Sequence, residues 1–572
     1  MGEGPTTRSR RKRLRTMIAV SATVVLGAGT AIGVTAASAS SAPRFAGYHT
    51  PALVPASYYL HSSAATPVKH LVVIFDENVS FDHYFGTYPY AANTDGTKFH
   101  AKPGTPTVNG LYTKITKSGP VGPLLTSNPN EYNPQRLTHA QALTCDQNHG
   151  YTAEQEAVNG GKMDKFVQYT EQDDCSTTGE YYGPPGIVMD YYDGNTVTGL
   201  WNYAQNYAMS DNNWDTTFGP STPGAIDVSS GLSSHSYAVT PSGTKTTDSS
   251  AITSDGTTYG DIDPYYDECS DSNHTSTNPE GVMTGENIGD LLNAKHVTWG
   301  WFQGGFAPTS YNSGGAVCGA TSENIAGSEL QDYTPHWNPF QFNATTANPG
   351  HLAPSSEAAI GRTDRANHQY DLSDFYQTLK DGNMPSVSYL KGTTEQSGHP
   401  GESGPLDEQK FVVNTVNQIE QSRYWRSTAI VITYDDSDGW YDHVATNQAG
   451  ALINGSDNSA IDTAMCEAIP VTVGSGSGRC GYSQRLPMVV ISPYTRDNYV
   501  SNNLTDTTSV VKFIEDNWLR GERIPGSFDA TSGSLDAPGG LLDFNVRPHF
   551  NPVILNPDTG AVVSGGGWGG KN

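Results

Sequence analysis

Five short runs of apolar residues, mostly β-branched or aromatic, are spread through the chain: His70–Phe75, His296–Trp301, Ser386–Leu390, Ala429–Thr433 and Pro487–Ile491. Their apolar positions are close to continuous rather than alternating, so each run needs cover on both faces, as the strands of a parallel sheet do. Between them the spacing of apolar residues predicts amphipathic helices over Val197–Tyr207, Asn287–Ala294, Tyr370–Asp381, Asp407–Ser422 and Thr508–Arg520. Strand and helix alternate, which predicts an α/β fold with a mostly parallel central sheet sandwiched by helices. Long loop-rich insertions are also expected, because the 572 residues include 61 Gly and 35 Pro and only 16% are charged.

The first 39 residues read as an export signal. Arg8, Arg10, Arg11, Lys12, Arg13 and Arg15 precede an Ala/Val/Gly-rich stretch from Met17 to Ala37, with cleavage expected near Ala39. The paired arginines within Ser9–Leu14 are similar to a twin-arginine signal. A secreted or extracytoplasmic location follows. Residues 40–67 read as a linker or strapped-down arm, 68–545 as the main folded body, and 546–572 as a tail. Within the body, 225–285 is dominated by Ser, Thr, Asp and Gly and reads as an insertion or subdomain. A formal charge of −26 repels nucleic acid backbones and argues against that class of partner. None of the six cysteines forms a CxxC pair. In an exported chain an even number favours disulfides, and their spacing pairs Cys145 with Cys175, Cys269 with Cys318 and Cys466 with Cys480.

Two of the apolar runs end in acidic clusters, Asp76-Glu77-Asn78 and Asp435-Asp436-Ser437-Asp438. The carboxyl ends of strands gather at one rim of an open α/β sheet, so these clusters can meet there. Oxygen ligands of this type suit Mg²⁺, Ca²⁺ or Mn²⁺, and carboxylates also accept zinc or iron. Taken singly, either cluster also fits a turn or a helix cap. A third segment, Phe218-Gly-Pro-Ser221-Thr-Pro-Gly224, holds a serine in a turn stiffened by prolines, though an ordinary proline-bounded loop has the same composition. A serine nucleophile needs a base or a metal to activate it. No Gly-x-Ser-x-Gly elbow surrounds Ser221, so metal activation is the simpler route. His149, His336 and His399 sit in polar loops where imidazoles bind phosphate oxygens or protonate a leaving group. His83, His368 and His443 lie in polar aromatic contexts that suit hydrogen-bonded scaffolding.

Five segments occur in order across 68–545: Glu77–Thr87, Gly219–Pro223, His368–Phe375, Pro405–Gln409 and Tyr434–His443. On these the chain resembles the bacterial phosphoesterase family of secreted phospholipases C and acid phosphatases, which is allied in fold to the alkaline phosphatase superfamily. The resemblance implies that Glu77, Asn78, Asp435 and Asp436 hold one divalent or transition metal ion against the nucleophile Ser221. It also implies that His149, His336 and His399 surround the phosphate. Members similar to this chain often carry two adjacent histidines where this one has His336-Trp337, and Asp76 replaces a common glutamine. Phospholipases of the family tend to show Gly-Pro-Thr and Glu-Asn-Asp-Gly; the Gly-Pro-Ser and Asp-Asp-Ser-Asp-Gly found here point to the acid phosphatase branch.

The expectation is therefore an exported, metal-dependent phosphoesterase that hydrolyses phosphate esters through a phosphoserine. The first alternative is a phospholipase C acting on phospholipid head groups, the one case that requires membrane contact. The second is a non-catalytic secreted surface protein whose acidic clusters bind calcium. A sulfatase is disfavoured by the lack of a Cys-x-Pro-x-Arg segment, and a metalloprotease by the lack of His-Glu-x-x-His.

Overall fold

The computed structural model describes residue 45 and residues 48–61, 63–172, 181–254, 256–271, 273–445, 481–530 and 532–565. The expected export signal, Cys175, Cys466 and Cys480 lie outside the described residues.

An eight-stranded sheet forms the centre. In chain order its strands are β1 (His70–Asp76), β2 (Ala208–Ser210), β3 (Trp299–Gln303), β4 (Gln369–Asp371), β5 (Val387–Lys391), β6 (Thr428–Tyr434), β7 (Met488–Ile491) and β8 (Tyr499–Ser501). Their spatial order is β4-β3-β5-β1-β6-β7-β2-β8. All neighbours are parallel except at β7, which runs against both β6 and β2. The sheet is thus mostly parallel and the fold class is α/β. The run at Pro487–Ile491, expected to be parallel, is the exception. A continuous apolar run reports burial on two faces and carries no information about direction. Here the chain re-enters the sheet from the rim reached at the end of β6, as an antiparallel neighbour can.

The alternation of side chains along β1 shows why the runs are continuous. Val72 and Ile74 enter one apolar core, and Leu71, Val73 and Phe75 enter the other. The helices that matter here are α1 (Phe81–Phe85), α2 (Tyr151–Val158), α3 (Thr198–Asn206), α4 (Ser221–Ser230), α5 (Ile288–Ala294), α6 (Leu372–Asp381), α7 (Pro405–Glu420) and α8 (Ser509–Trp518). Helices α3, α6 and α7 cover the first face through Trp201, Phe375, Phe411 and Val416. Helices α4, α5 and α8 cover the second through Val228, Leu292, Val511 and Ile514. Each fully buried side chain of this size contributes roughly 1.5–3 kcal/mol relative to exposure. Helix α6 starts at Leu372 rather than Tyr370, because Asp371 caps it by accepting the Ser373 N–H at 3.0 Å while Gln369–Asp371 pairs with β3.

Of the stretch 225–285, residues 225–230 complete α4, and the rest carries an antiparallel sheet of Lys245–Thr246, Ser236–Val239 and Glu280–Met283. Cys269 and Cys318 form a disulfide across 49 residues. Residues before the body are strapped to it, with the Val54 N–H donating to Thr363 O at 2.8 Å and the Ala65 N–H to Asn517 O at 2.7 Å. After 546, a hairpin of Ile554–Leu555 and Val562–Ser564 packs on α7. Among the described residues no helix is long and apolar enough to cross a membrane.

Glu420 at the end of α7 ties this last segment down. Its carboxylate accepts the Tyr207 hydroxyl and, at 2.7 Å, the Val553 N–H. Burial outweighs these bonds and pushes the carboxyl from the ordinary 4.5 up to about 8. A folded-state value above the unfolded one gives stability that is complete below the unfolded value and is lost as pH rises through the folded one. Glu420→Gln should therefore flatten the dependence of the melting midpoint on pH between 4.5 and about 8. An unaltered slope in thermal melts would refute this.

Candidate active site

Strands β1 and β6 lie side by side in register, with Asp76 opposite Tyr434. Glu77 and Asp435 consequently leave the sheet together at one rim. The two loops are then laced: the Val79 N–H donates to Asp436 O at 3.0 Å, the Asn78 N–H to Asp435 Oδ1 at 3.0 Å, and Ser80 Oγ to Tyr441 O at 2.9 Å. Asn78 turns the chain with φ +59°, a conformation asparagine tolerates better than most residues.

Ser221 is the first residue of α4, and its hydroxyl donates to Glu77 Oε2 at 2.9 Å. Two glycines make this approach possible. Gly219 holds φ +112°, and its N–H donates to Glu154 Oε2 at 2.9 Å. Gly224 lies against the aspartate loop so closely that a Cβ there would sit 2.2 Å from Asp435 O. Glu154, on α2, also accepts the Ser437 hydroxyl at 2.7 Å, so one buried carboxylate joins the serine turn to the aspartate loop.

Glu77, Asn78, Asp435 and Asp436 are all fully buried. Burial and the charge of Asp435 hold the Glu77 carboxyl well above the ordinary range, and the same two causes raise Asp436. The buried cation beside them is Lys391, at the end of β5, whose ammonium pairs with Glu77 Oε1. Three oxygens here, Asn78 Oδ1, Asp435 Oδ2 and Asp436 Oδ2, are buried without a hydrogen-bond partner. Asn78 Nδ2 donates to Asp438 Oδ1 at 3.2 Å, which fixes the amide and leaves its oxygen free. Mutually repelling carboxylates and orphaned oxygen acceptors are a donor set that fits a hard or borderline cation.

His149 and His399 stand next to this cluster, with their Nε2 atoms 3.5 and 3.1 Å from Asn78 Nδ2. Each is anchored through Nδ1, His149 to Gln147 O at 2.8 Å and to Asp438 Oδ1 at 3.2 Å, and His399 to Pro400 O at 2.6 Å. Burial alone would lower both imidazoles. The charges of Asp436 and Asp438 nevertheless raise His149 well above its ordinary value, and those of Glu402 and Asp146 raise His399. His336 lies beside the amino end of α4. Burial opposes its protonation, but Asp261 and Asp263 push it up to about 9. Asp261 in turn accepts the Thr222 N–H and hydroxyl, both at 3.0 Å.

The structure thus gathers Ser221, Glu77, Asn78, Asp435 and Asp436 in one buried cluster, with the half-buried His149 and His399 against it and His336 held at its side by Asp263 at 3.6 Å. The other three histidines serve as scaffolding. His83 stacks on Trp440 at 3.8 Å, His368 stacks on Trp299 at 4.4 Å, and His443 is held by Asp82 at 2.5 Å. Lys391, Glu154 and Asp261 escaped the sequence reading, which named Asp438 only as part of the aspartate cluster. Lys391 had one usable signal, a cation directly after an apolar strand run, where the strand meets the rim.

The model of the phosphoesterase family matches residues 68–519. The chain belongs to this family. The match spans every residue just described. Among curated relatives, the non-hemolytic phospholipase C of Pseudomonas aeruginosa is 24% identical over 457 residues, 78% of this chain and 53% of its own length. Phospholipase C A of Mycobacterium tuberculosis is 26% identical over 254 residues, 42% of this chain and 47% of its own. Phospholipase C B of the same species is 23% identical over 514 residues, covering 86% and 80%. The chain spans about half the length of the first two relatives. A solved structure described as a protein in the alkaline phosphatase superfamily from Vibrio parahaemolyticus matches 59% of this chain and 64% of its own at 13% identity, with a TM-score of 0.25. The α/β assignment of this chain rests on its own sheet. The family segments also carry scaffold: Glu408 accepts the Tyr84 hydroxyl at 2.9 Å and that of Tyr434, and Gln409 Oε1 accepts the Gly199 N–H at 2.9 Å.

Proposed function

We propose that this phosphoesterase is an exported, metal-dependent hydrolase of phosphate monoesters that works through a phosphoserine at Ser221. The observation that carries the reading is the 2.9 Å contact of the Ser221 hydroxyl with Glu77, beside three buried oxygens that lack partners. One divalent or transition metal ion, held by Glu77, Asn78, Asp435 and Asp436, supplies Lewis acidity that makes the serine alkoxide accessible near neutral pH.

The chain's own groups do the rest. Glu77 Oε2 accepts the hydroxyl proton and holds Oγ in place, while the Lys391 pair on Oε1 fixes the carboxylate. The serine oxygen attacks phosphorus in line and the alcohol leaves. His149 and His399, whose imidazoles nearby carboxylates push above the ordinary value, give the departing alkoxide its proton. His336, cationic at neutral pH, offsets the charge of the bound phosphate. Water then displaces the serine in a second in-line step: the neutral imidazole takes a proton from the water, and Glu77 returns the hydroxyl proton to Ser221 Oγ.

A second reading, phospholipase C, draws support from the names of the curated relatives. The test combines elemental analysis with two assays, one on p-nitrophenyl phosphate and one on phosphatidylcholine vesicles. A bound metal, preference for the monoester, and a rate reduced about a hundredfold or more by chelation are expected. Preference for the vesicles would favour the second reading. A full metal complement with no hydrolysis of either substrate would point to the calcium-binding surface protein.

A further inference from the structure

The opposite edge of the sheet carries a different feature. Tyr207, Arg426 and Asp497 stand one or two residues before β2, β6 and β8, three strands that run in the same direction, so all three residues lie at the amino-terminal edge. The seven residues of β6 separate this edge from Asp435, roughly 20 Å or more at the rise of an extended strand. A cavity of about 690 Å³ opens here, lined by Lys102, Arg426, Arg547 and His549 and by one carboxylate, Asp497. Three Lys and Arg side chains against one acid reverse the balance of a chain that has 58 Asp and Glu and 32 Lys and Arg.

The partners of these groups show where the positive charge is left over. Asp497 faces His549 at 3.7 Å, and Lys102 donates to Asn206. Among the described residues neither Arg426 nor Arg547 lies in an ion pair. The Arg426 guanidinium stacks on Phe550 with 3.9 Å to the ring centre, which fixes its plane and leaves its N–H edge for a ligand. Guanidinium forks match the oxygens of a phosphate group, and the volume accommodates an organic body attached to it.

We infer that this cavity is a second anion site, which binds a phosphate-type group away from the hydrolytic centre. The group is presented either on a small soluble molecule or by an anionic lipid head group. The inference does not depend on the chemistry assigned to Ser221.

Equilibrium dialysis with labelled inorganic phosphate tests it, comparing the full-length protein with R426Q/R547Q. The wild type should bind one more phosphate per chain than the variant. This difference holds whether the hydrolytic centre takes up phosphate in both proteins or in neither, so failure of the catalytic reading is told apart from failure of this one. Sedimentation with phosphatidylglycerol and with phosphatidylcholine vesicles supplies the second arm. A loss of about tenfold or more in binding to phosphatidylglycerol in the variant, with no difference on phosphatidylcholine, assigns the lipid source. Both arginines are exposed, so the melting midpoint should be unchanged; if the double variant does not fold, R547Q alone is measured in the same way. Equal phosphate stoichiometry together with equal vesicle binding in wild type and variant would overturn the inference.

Discussion

Ser221→Ala should turn over p-nitrophenyl phosphate about a thousandfold more slowly than the wild type, or not measurably, while retaining its full metal content. The hydroxyl hydrogen-bonds Glu77 Oε2 at 2.9 Å, and among the described residues no other hydroxyl hydrogen-bonds that carboxylate. Alanine removes one oxygen at the start of a helix whose remaining contacts are unchanged. The melting midpoint should therefore move little, and elemental analysis should give the wild-type value. Acid-quenched wild type should carry phosphate on the peptide containing Ser221, and the variant none. Retention of more than a few per cent of the rate would remove Ser221 from the nucleophile role.

Gly224→Ala tests the placement of that serine rather than its chemistry. A methyl at 224 meets Asp435 O at 2.2 Å and Asp435 C at 2.8 Å. Both are backbone atoms and cannot rotate away, so relief requires α4 to withdraw from the aspartate loop by about 1 Å. A displacement of that size costs on the order of a hundredfold in rate, and overpacking costs about 1–3 kcal/mol of stability. We expect kcat to fall by that order, with KM less affected, in a protein that still folds. A kcat within threefold of wild type would show that the helix and the loop need not touch at this point.

The parts of this molecule that were legible in the sequence are those fixed by burial. A strand covered on both faces has to be apolar throughout, and β1, β3, β5 and β6 all announce themselves in that way. Direction leaves no such trace, so the reversal of β7 was invisible. The three-residue strands β2, β4 and β8 are too short for any period to register. At the site, the acidic strand ends of β1 and β6 were readable because carboxylates after apolar strands are conspicuous. Glu154 was not, because a glutamate in a helix ordinarily reads as solvated, and only the fold reveals that it is buried against Gly219 and Ser437. Asp261 lies in the polar stretch 225–285, where one more acid stands out from nothing. Its hold on Thr222 exists only after that stretch has folded back over α4.

The covalent link between Cys269 and Cys318 bears on how this protein can be made. The ring it closes contains α5 and β3, so part of the central sheet is enclosed with part of the outer segment. Closing a ring of 49 residues is worth about 4 kcal/mol on the chain-entropy account, a large share of the roughly 5–15 kcal/mol that separates most domains from unfolding. Production in a reducing cytosol would forfeit that margin, so recombinant material should be directed to the periplasm or refolded with an oxidant.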